Sequence, residues 1–308
     1  MTSRSPRHVE REKTLKRLAF FGTPATAAAT LVALIDAGHE IAVVVTNPDR
    51  RRARRGEIEP NPVKLLAKAH AIPVREHPSD VLEFPCDLGV VVAYGQLIRT
   101  DVLARLPMVN IHFSLLPRWR GAAPVERAIL AGDQVTGVCL MRLEEGLDTG
   151  AVYARATTAI DPDEGLVSLR ERLSSLGTAL LLEELGLGDA AFAHAVLQTG
   201  EVNYAHKIGV EDRHLDFSEP AVIAQRKIRV GRAWTTFRGR RIVIHEARVR
   251  DGHEGATGGH PGLIVADHVL CSAGLLVPLV VQAEGRSRMD FATWLAGVRL
   301  KEGESFEP

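Results

Sequence analysis

Cysteine is scarce in this chain. Its three residues, Cys86, Cys139 and Cys271, lie far apart among 308 and form no CxxC pair. That excludes a disulfide framework and the paired spacing of a structural zinc site, and it suits a reducing, cytoplasmic setting. Aromatic residues make up only 5%, too few for a surface built to stack single-stranded bases. No apolar run approaches the ~18 residues of a membrane span, so no membrane partner is expected. Net charge is missing too. The 38 basic and 38 acidic side chains balance, which excludes a uniformly basic coat but not a local basic patch. There is no GxGxxG, no Walker A sequence and no HExxH. Gly22-Thr23-Pro24 follows the first apolar run, but Pro24 stands where a phosphate-cradling turn needs glycine. Dinucleotide binding, nucleotide hydrolysis and a metal centre are therefore not expected.

What is present is an ordinary globular composition, 45% hydrophobic and 25% charged, at a length suited to about two domains. Residues 1–17 hold six basic and two acidic side chains with no apolar segment after them, so a disordered tail is expected rather than a signal peptide. From Leu18 strands and helices alternate. Residues 18–21, 41–46, 88–93 and 109–113 read as buried strands, and 25–37 and 62–71 as helices. Apolar strands joined by helices predict an α/β domain with a parallel sheet covered on both faces. Residues 165–185 carry leucines at helical spacing and 186–205 read as a linker. Beyond 206 short strands and frequent turns, including a hairpin around Arg238-Gly239-Arg240, predict a small antiparallel barrel or sheet.

The segment Asn110-Ile111-His112-Phe113-Ser114 carries the chemistry. Residues two apart on a strand share a face, so Asn110, His112 and Ser114 point one way and Ile111 and Phe113 the other. An amide, an imidazole and a hydroxyl would then gather near the carboxyl end of a strand, where open α/β sheets bind ligands. The plainer reading is a polar strand face satisfied by a loop. Glu145-Gly146-Leu147-Asp148-Thr149-Gly150 makes a tight loop that could present Asp148 to His112 and orient the imidazole. An ordinary Asx turn would look the same.

Four segments together are distinctive. Phe21-Gly22-Thr23-Pro24, Val91-Val92-Ala93-Tyr94-Gly95, the run from Asn110 through Ser114-Leu115-Leu116-Pro117-Arg118-Trp119-Arg120-Gly121-Ala122-Ala123-Pro124, and Gly146-Leu147-Asp148-Thr149-Gly150 resemble the folate-dependent formyltransferases. The likeness is strong over 18–160 and looser after 205. It implies a Rossmann-like catalytic domain over 18–189, a linker over 190–205 and an OB-type barrel over 206–308. It implies 10-formyltetrahydrofolate as co-substrate and no metal. It implies Asn110, His112 and Asp148 as catalytic residues. The folate-contacting positions it implies are Ser114, Leu115, Leu116 and Pro117, with Val91, Val92, Ala93, Tyr94, Gly95, Gln96 and Leu97 walling the pterin pocket.

The acceptor is a separate question. Arg50, Arg51, Arg52, Arg54 and Arg55 put five arginines in six positions between the second strand and the helix at Pro62. Members of the family that formylate methionyl initiator tRNA, in support of translation initiation, carry a basic insertion at this point. Its usual ending resembles Pro60-Asn61-Pro62-Val63-Lys64 here. A second basic stretch, residues 221–250, sets nine cations against Glu246, a local charge of +8, as phosphate neutralisation requires. The resemblance therefore implies methionyl initiator tRNA as partner, with the five arginines as its contacts, and a monomer is expected. The alternatives are an amino sugar on a nucleotide as acceptor, or a catalytically silent RNA-binding protein on the same fold. The five arginines could equally be a solvated charge run.

Overall fold

The computed structural model describes residues 16–51, 58–252 and 259–307. Its first apolar run forms strand β1 (Arg17–Gly22), buried from Leu18 onward. Helix α1 (Ala25–Asp36) follows and gives way just before Gly38, which is left-handed at φ 89°. After strand β2 (Glu40–Val45), the short strands β3 (Arg50–Arg51) and β4 (Ile58–Glu59) pair antiparallel. Helix α2 (Pro62–Ala69) opens on proline, and the Asn61 side chain caps it by accepting from the Lys64 amide at 3.0 Å. Strands β5 (Val74–Arg75) and β6 (Leu88–Val92), helix α3 (Thr100–Leu103) and strand β7 (Met108–His112) come next. The middle of the chain holds β8 (Arg120–Gly121), α4 (Pro124–Ala131), β9 (Val135–Arg142), β10 (Val152–Ala159) and α5 (Leu166–Leu185). The last third holds β11 (Tyr204–Ala205), α6 (Ala221–Val230), β12 (Ala233–Phe237), β13 (Arg240–Arg250) and β14 (Ile264–Val265). It ends with β15 (His268–Leu270), β16 (Leu275–Ala283), β17 (Met289–Asp290) and α7 (Phe291–Val298).

The chain divides into two compact units. One comprises Met1–Pro117, Gly137–Ala156 and Leu173–Glu201; the other comprises Arg118–Thr136, Thr157–Arg172 and Val202–Pro308.

The first unit is built on a seven-stranded sheet ordered β10-β9-β7-β6-β1-β2-β5. From β7 to β5 the pairings are parallel. The expected parallel sheet is present and is extended by β9, which runs antiparallel to β7. Strand order reverses at β1, which has β2 on one side and β6 on the other. That switch point leaves a crevice at the carboxyl ends of β1 and β6. A core of Ala19, Phe21, Val43, Val45, Val91 and Met108, among others, packs on one face.

The second unit holds the antiparallel sheet β12-β13-β16-β15-β14, with β17 also paired to β16. Arg238 and Gly239, both at positive φ (49° and 67°), turn β12 into β13, as a two-residue hairpin loop requires. The chain end completes the barrel. Glu307 bridges Thr236 of β12, and Ser305 bridges Leu263 beside β14, so one short segment joins the two edges of the sheet. Helices α6 and α7, which periodicity did not reveal, supply Ala221, Ala224, Ile228, Phe291 and Trp294 to its core. The three cysteines are free thiols.

Candidate active site

Strand β7 lies between β6 and β9, with Asn110 opposite Val91 on one side and Met141 on the other. Val109 and Ile111 are buried at 0% and 2%. Asn110 and His112 occupy the opposite face, as the alternation predicts. The strand stops at His112, and the chain then bends through Ser114, which is fully buried. Leu116 packs with Cys139, Met141 and Val152, and the Leu116–Pro117 peptide is cis.

Asp148 arrives from the loop between β9 and β10. Its φ of 50° is left-handed, a conformation that aspartate tolerates better than most residues. The reason for Gly150 is steric: a Cβ there would sit 1.9 Å from the Arg142 carbonyl oxygen. With the loop so held, Asp148 Oδ2 lies 3.5 Å from His112 Nδ1, and the two side chains are 12% and 5% exposed. Sequence reasoning thus named two residues that the fold does bring together. It missed Gln198, whose Nε2 donates to the carbonyl oxygens of Asp148 and Gly150, both at 2.8 Å. A lone glutamine in a linker-like stretch offers no local signal.

The end of β6 and the turn after it, residues 91–97, divide by burial. Val91, Val92 and Tyr94 are buried, whereas Leu97 is 81% exposed. Ala93 and Gly95 take positive φ (46° and 77°) and turn the chain. Asn47, just past β2, holds this turn. Its amide donates to Tyr94 O (2.7 Å) and Thr23 Oγ1 (2.8 Å), and its oxygen accepts from Gln96 Nε2 (2.6 Å). The Asn61 amide donates in turn to Asn47 O at 3.0 Å. The loops after β1, β2 and β6 are therefore cross-braced at the switch point.

Arg50 and Arg51 open the β3–β4 stem; Arg52, Arg54 and Arg55 lie outside the described residues, as does the predicted tail through residue 15. The stem is anchored on both sides. Asp49 Oδ2 meets Lys64 Nζ at 2.7 Å, and Asp49 Oδ1 accepts from the Asn61 amide nitrogen at 3.3 Å. Lys64 also reaches Glu76 at 2.9 Å. The hydrogen bond from Lys64 holds the Asp49 carboxyl below its ordinary range, and the two carboxylates hold the Lys64 ammonium above its own.

Residues 16–185 match the family model described as formyl transferase, and residues 207–299 match the formyl transferase C-terminal domain. The chain belongs to the formyl transferase family. A methionyl-tRNA formyltransferase of Symbiobacterium thermophilum is 38% identical over 95% of this chain and 95% of its own length. One of Methylococcus capsulatus is 42% identical over 92% and 99%. In fold the chain resembles HypX of Aquifex aeolicus, solved in complex with tetrahydrofolic acid, with a TM-score of 0.66 at 17% identity over 94% of this chain. This formyl transferase spans about half of HypX, 48% of that chain. Among its described residues no cluster of three or more His, Cys, Asp or Glu could hold a metal ion, and no helix is long and apolar enough to cross a membrane.

Proposed function

We propose that this formyl transferase moves the formyl group of 10-formyltetrahydrofolate to the amino group of methionyl initiator tRNA, with Asn110, His112 and Asp148 as its catalytic residues. The observation that carries the site assignment is the His112–Asp148 pair at 3.5 Å, nearly buried at the end of the strand that bears Asn110. Full-length relatives named methionyl-tRNA formyltransferase support the acceptor, and the tetrahydrofolic acid of the HypX complex supports the donor.

The neutral amine attacks the formyl carbon and a tetrahedral oxyanion forms. The Asn110 amide donates a hydrogen bond to that oxygen, a contribution typically worth about 3 kcal/mol. The amine must lose a proton and N10 of the folate must gain one as the N10–carbon bond breaks. His112 handles that transfer, and Asp148 orients the imidazole and stabilises its charged form. The products are formylmethionyl-tRNA and tetrahydrofolate. The folate lies along Ser114–Pro117 and the Val91–Leu97 turn in this reading. The buried side chains of Leu116, Val91, Val92 and Tyr94 shape those walls from behind, and Ala93, Gly95, Gln96 and the main chain face the ligand.

The division into a catalytic domain (18–189), linker (190–205) and C-terminal domain (206–308) is part of the proposal, and the two family matches support it. So are a monomeric state, cytoplasmic location and tRNA contacts through Arg50, Arg51, Arg52, Arg54 and Arg55. A basic loop on an anchored stem is suited to grip phosphates beside the acceptor end. Replacing the five arginines by alanine is expected to weaken tRNA binding. Its log–log salt dependence should flatten by about one for each phosphate no longer neutralised. Folate affinity should stay unchanged. An unaltered tRNA salt slope makes the loop a solvated charge run.

The central test supplies 10-formyltetrahydrofolate with methionyl initiator tRNA, methionyl elongator tRNA and amino-sugar nucleotides. Asn110→Ala, His112→Ala and Asp148→Asn are each expected to cut turnover by about 10²-fold or more while folate still binds. Near-normal turnover in all three would falsify the site, and a preference for the amino sugar would replace the acceptor.

A further inference from the structure

We infer that Gln198 is a positioning residue for formyl transfer, fastening the loop that presents Asp148 to His112. This rests on the catalytic reading of those two residues. The segment bearing Gln198 is tied to β10 just ahead of it: Val196 and Val152 exchange backbone hydrogen bonds of 2.8 and 2.9 Å. Val196 and Leu197 are 63% and 76% exposed, while Gln198 turns inward and is half-buried. Its amide donates twice to one loop, to Asp148 O and Gly150 O at 2.8 Å each.

Those carbonyls bracket Thr149, so the amide clasps the chain as it leaves the Leu147–Asp148 turn. The turn needs holding, because Asp148 sits at a φ of 50°, which is disfavoured for a residue with a Cβ. Gly150 is locked against Arg142 O on one side, and Gln198 supplies the hold on the other. The residue type fits the task. An NH2 group offers two donors in one plane, asparagine is a methylene too short, and glutamate would press oxygen against two carbonyl oxygens. The His112–Asp148 distance of 3.5 Å leaves little room for the carboxylate to drift before orientation of the imidazole is lost.

The test is a kinetic double-mutant cycle on the full chain with methionyl initiator tRNA, using single-turnover rates. Gln198→Leu is expected to lower the chemical rate about tenfold or more, with KM for folate and tRNA within about twofold. In the Asp148→Asn background the same change should cost almost nothing further, because there is no longer a carboxylate to position. Gln198→Met, of the same length, repeats the measurement should the leucine variant fold poorly. An equal fractional loss in both backgrounds, or a normal rate for the single variants, overturns the role of Gln198. Normal turnover by Asp148→Asn would overturn the catalytic reading itself, so the two failures are distinguishable.

Discussion

Tyr94 shows how a single residue can belong to two settings. Its backbone lies in the turn assigned to the pterin pocket, yet its ring is 3% exposed and packs edge-on against Phe21 at 5.5 Å. Among the described residues its hydroxyl has no hydrogen-bond partner. Burial, with a smaller contribution from Asp80, pushes the phenol up to about 12. The unfolded phenol titrates near 10. The folded state therefore favours the neutral form, and the associated stability is complete below about pH 10 and lost as pH rises toward 12. Tyr94→Phe is expected to leave stability at pH 7 unchanged or raise it by up to about 1 kcal/mol, since it removes a buried unpaired hydroxyl. It should also remove this residue's share of the alkaline destabilisation. Melts of both proteins from pH 7 to 11 decide the matter, and a large drop at pH 7 would mean that the hydroxyl is satisfied by water.

At the level of elements, legibility followed continuity of the apolar pattern. Strands β1, β2 and β6 are near-continuous apolar runs and β7 alternates apolar with polar residues, so all four could be read from local pattern. Strand β9 escaped because Gly137 interrupts it, and β10 because its polar outer half, from Arg155 to Thr158, lacks an apolar run. Helix α6 was hidden by its own cations. The loop between β9 and β10 matters most for the site, and its tightness is testable. Gly150→Ala must displace either Arg142 or the loop. We expect a loss of about 1–3 kcal/mol in stability together with slower turnover, as the same displacement moves Asp148. Thermal melts and initial rates check both, and an unchanged rate with an unchanged melting temperature would show that the loop yields freely.

The whole molecule redistributes charge in a way no window reveals. Several cations of residues 221–250 find partners, most of them from outside that stretch. Lys227 pairs with Glu219 (2.6 Å), Arg238 with Glu304 (2.6 Å) and Arg250 with Asp267 (3.0 Å). Arg229 donates to the carbonyls of Glu164 and Asp161, and Arg241 stacks over Trp234 at 4.1 Å. The field offered to phosphates is therefore weaker than the local +8 suggests. The barrel likewise depends on a remote segment. Phe306, 2% exposed, packs among Phe217, Phe237 and Trp294 with ring centroids 5.6–6.0 Å away. Phe306→Ala is expected to cost about 3–5 kcal/mol and to loosen the strand edges that Ser305 and Glu307 join. Calorimetry should show the loss in the C-terminal unit's transition, and an unshifted transition would show that the closure is dispensable.

By itself the sequence determined which face of β7 is polar, where the tight aspartate loop falls, and the change from alternating α/β to short strands. Each of these depends on residues a few positions apart, where side-chain alternation and turn chemistry act directly. Only the tertiary structure decided that Asp148 meets His112, that Gln198 braces the Asp148 turn, that β9 reverses the sheet, and that Lys227, Arg238 and Arg250 are ion-paired. Those outcomes join segments far apart along the chain, and a contact between distant residues is set by how the elements pack rather than by any pattern local to either one.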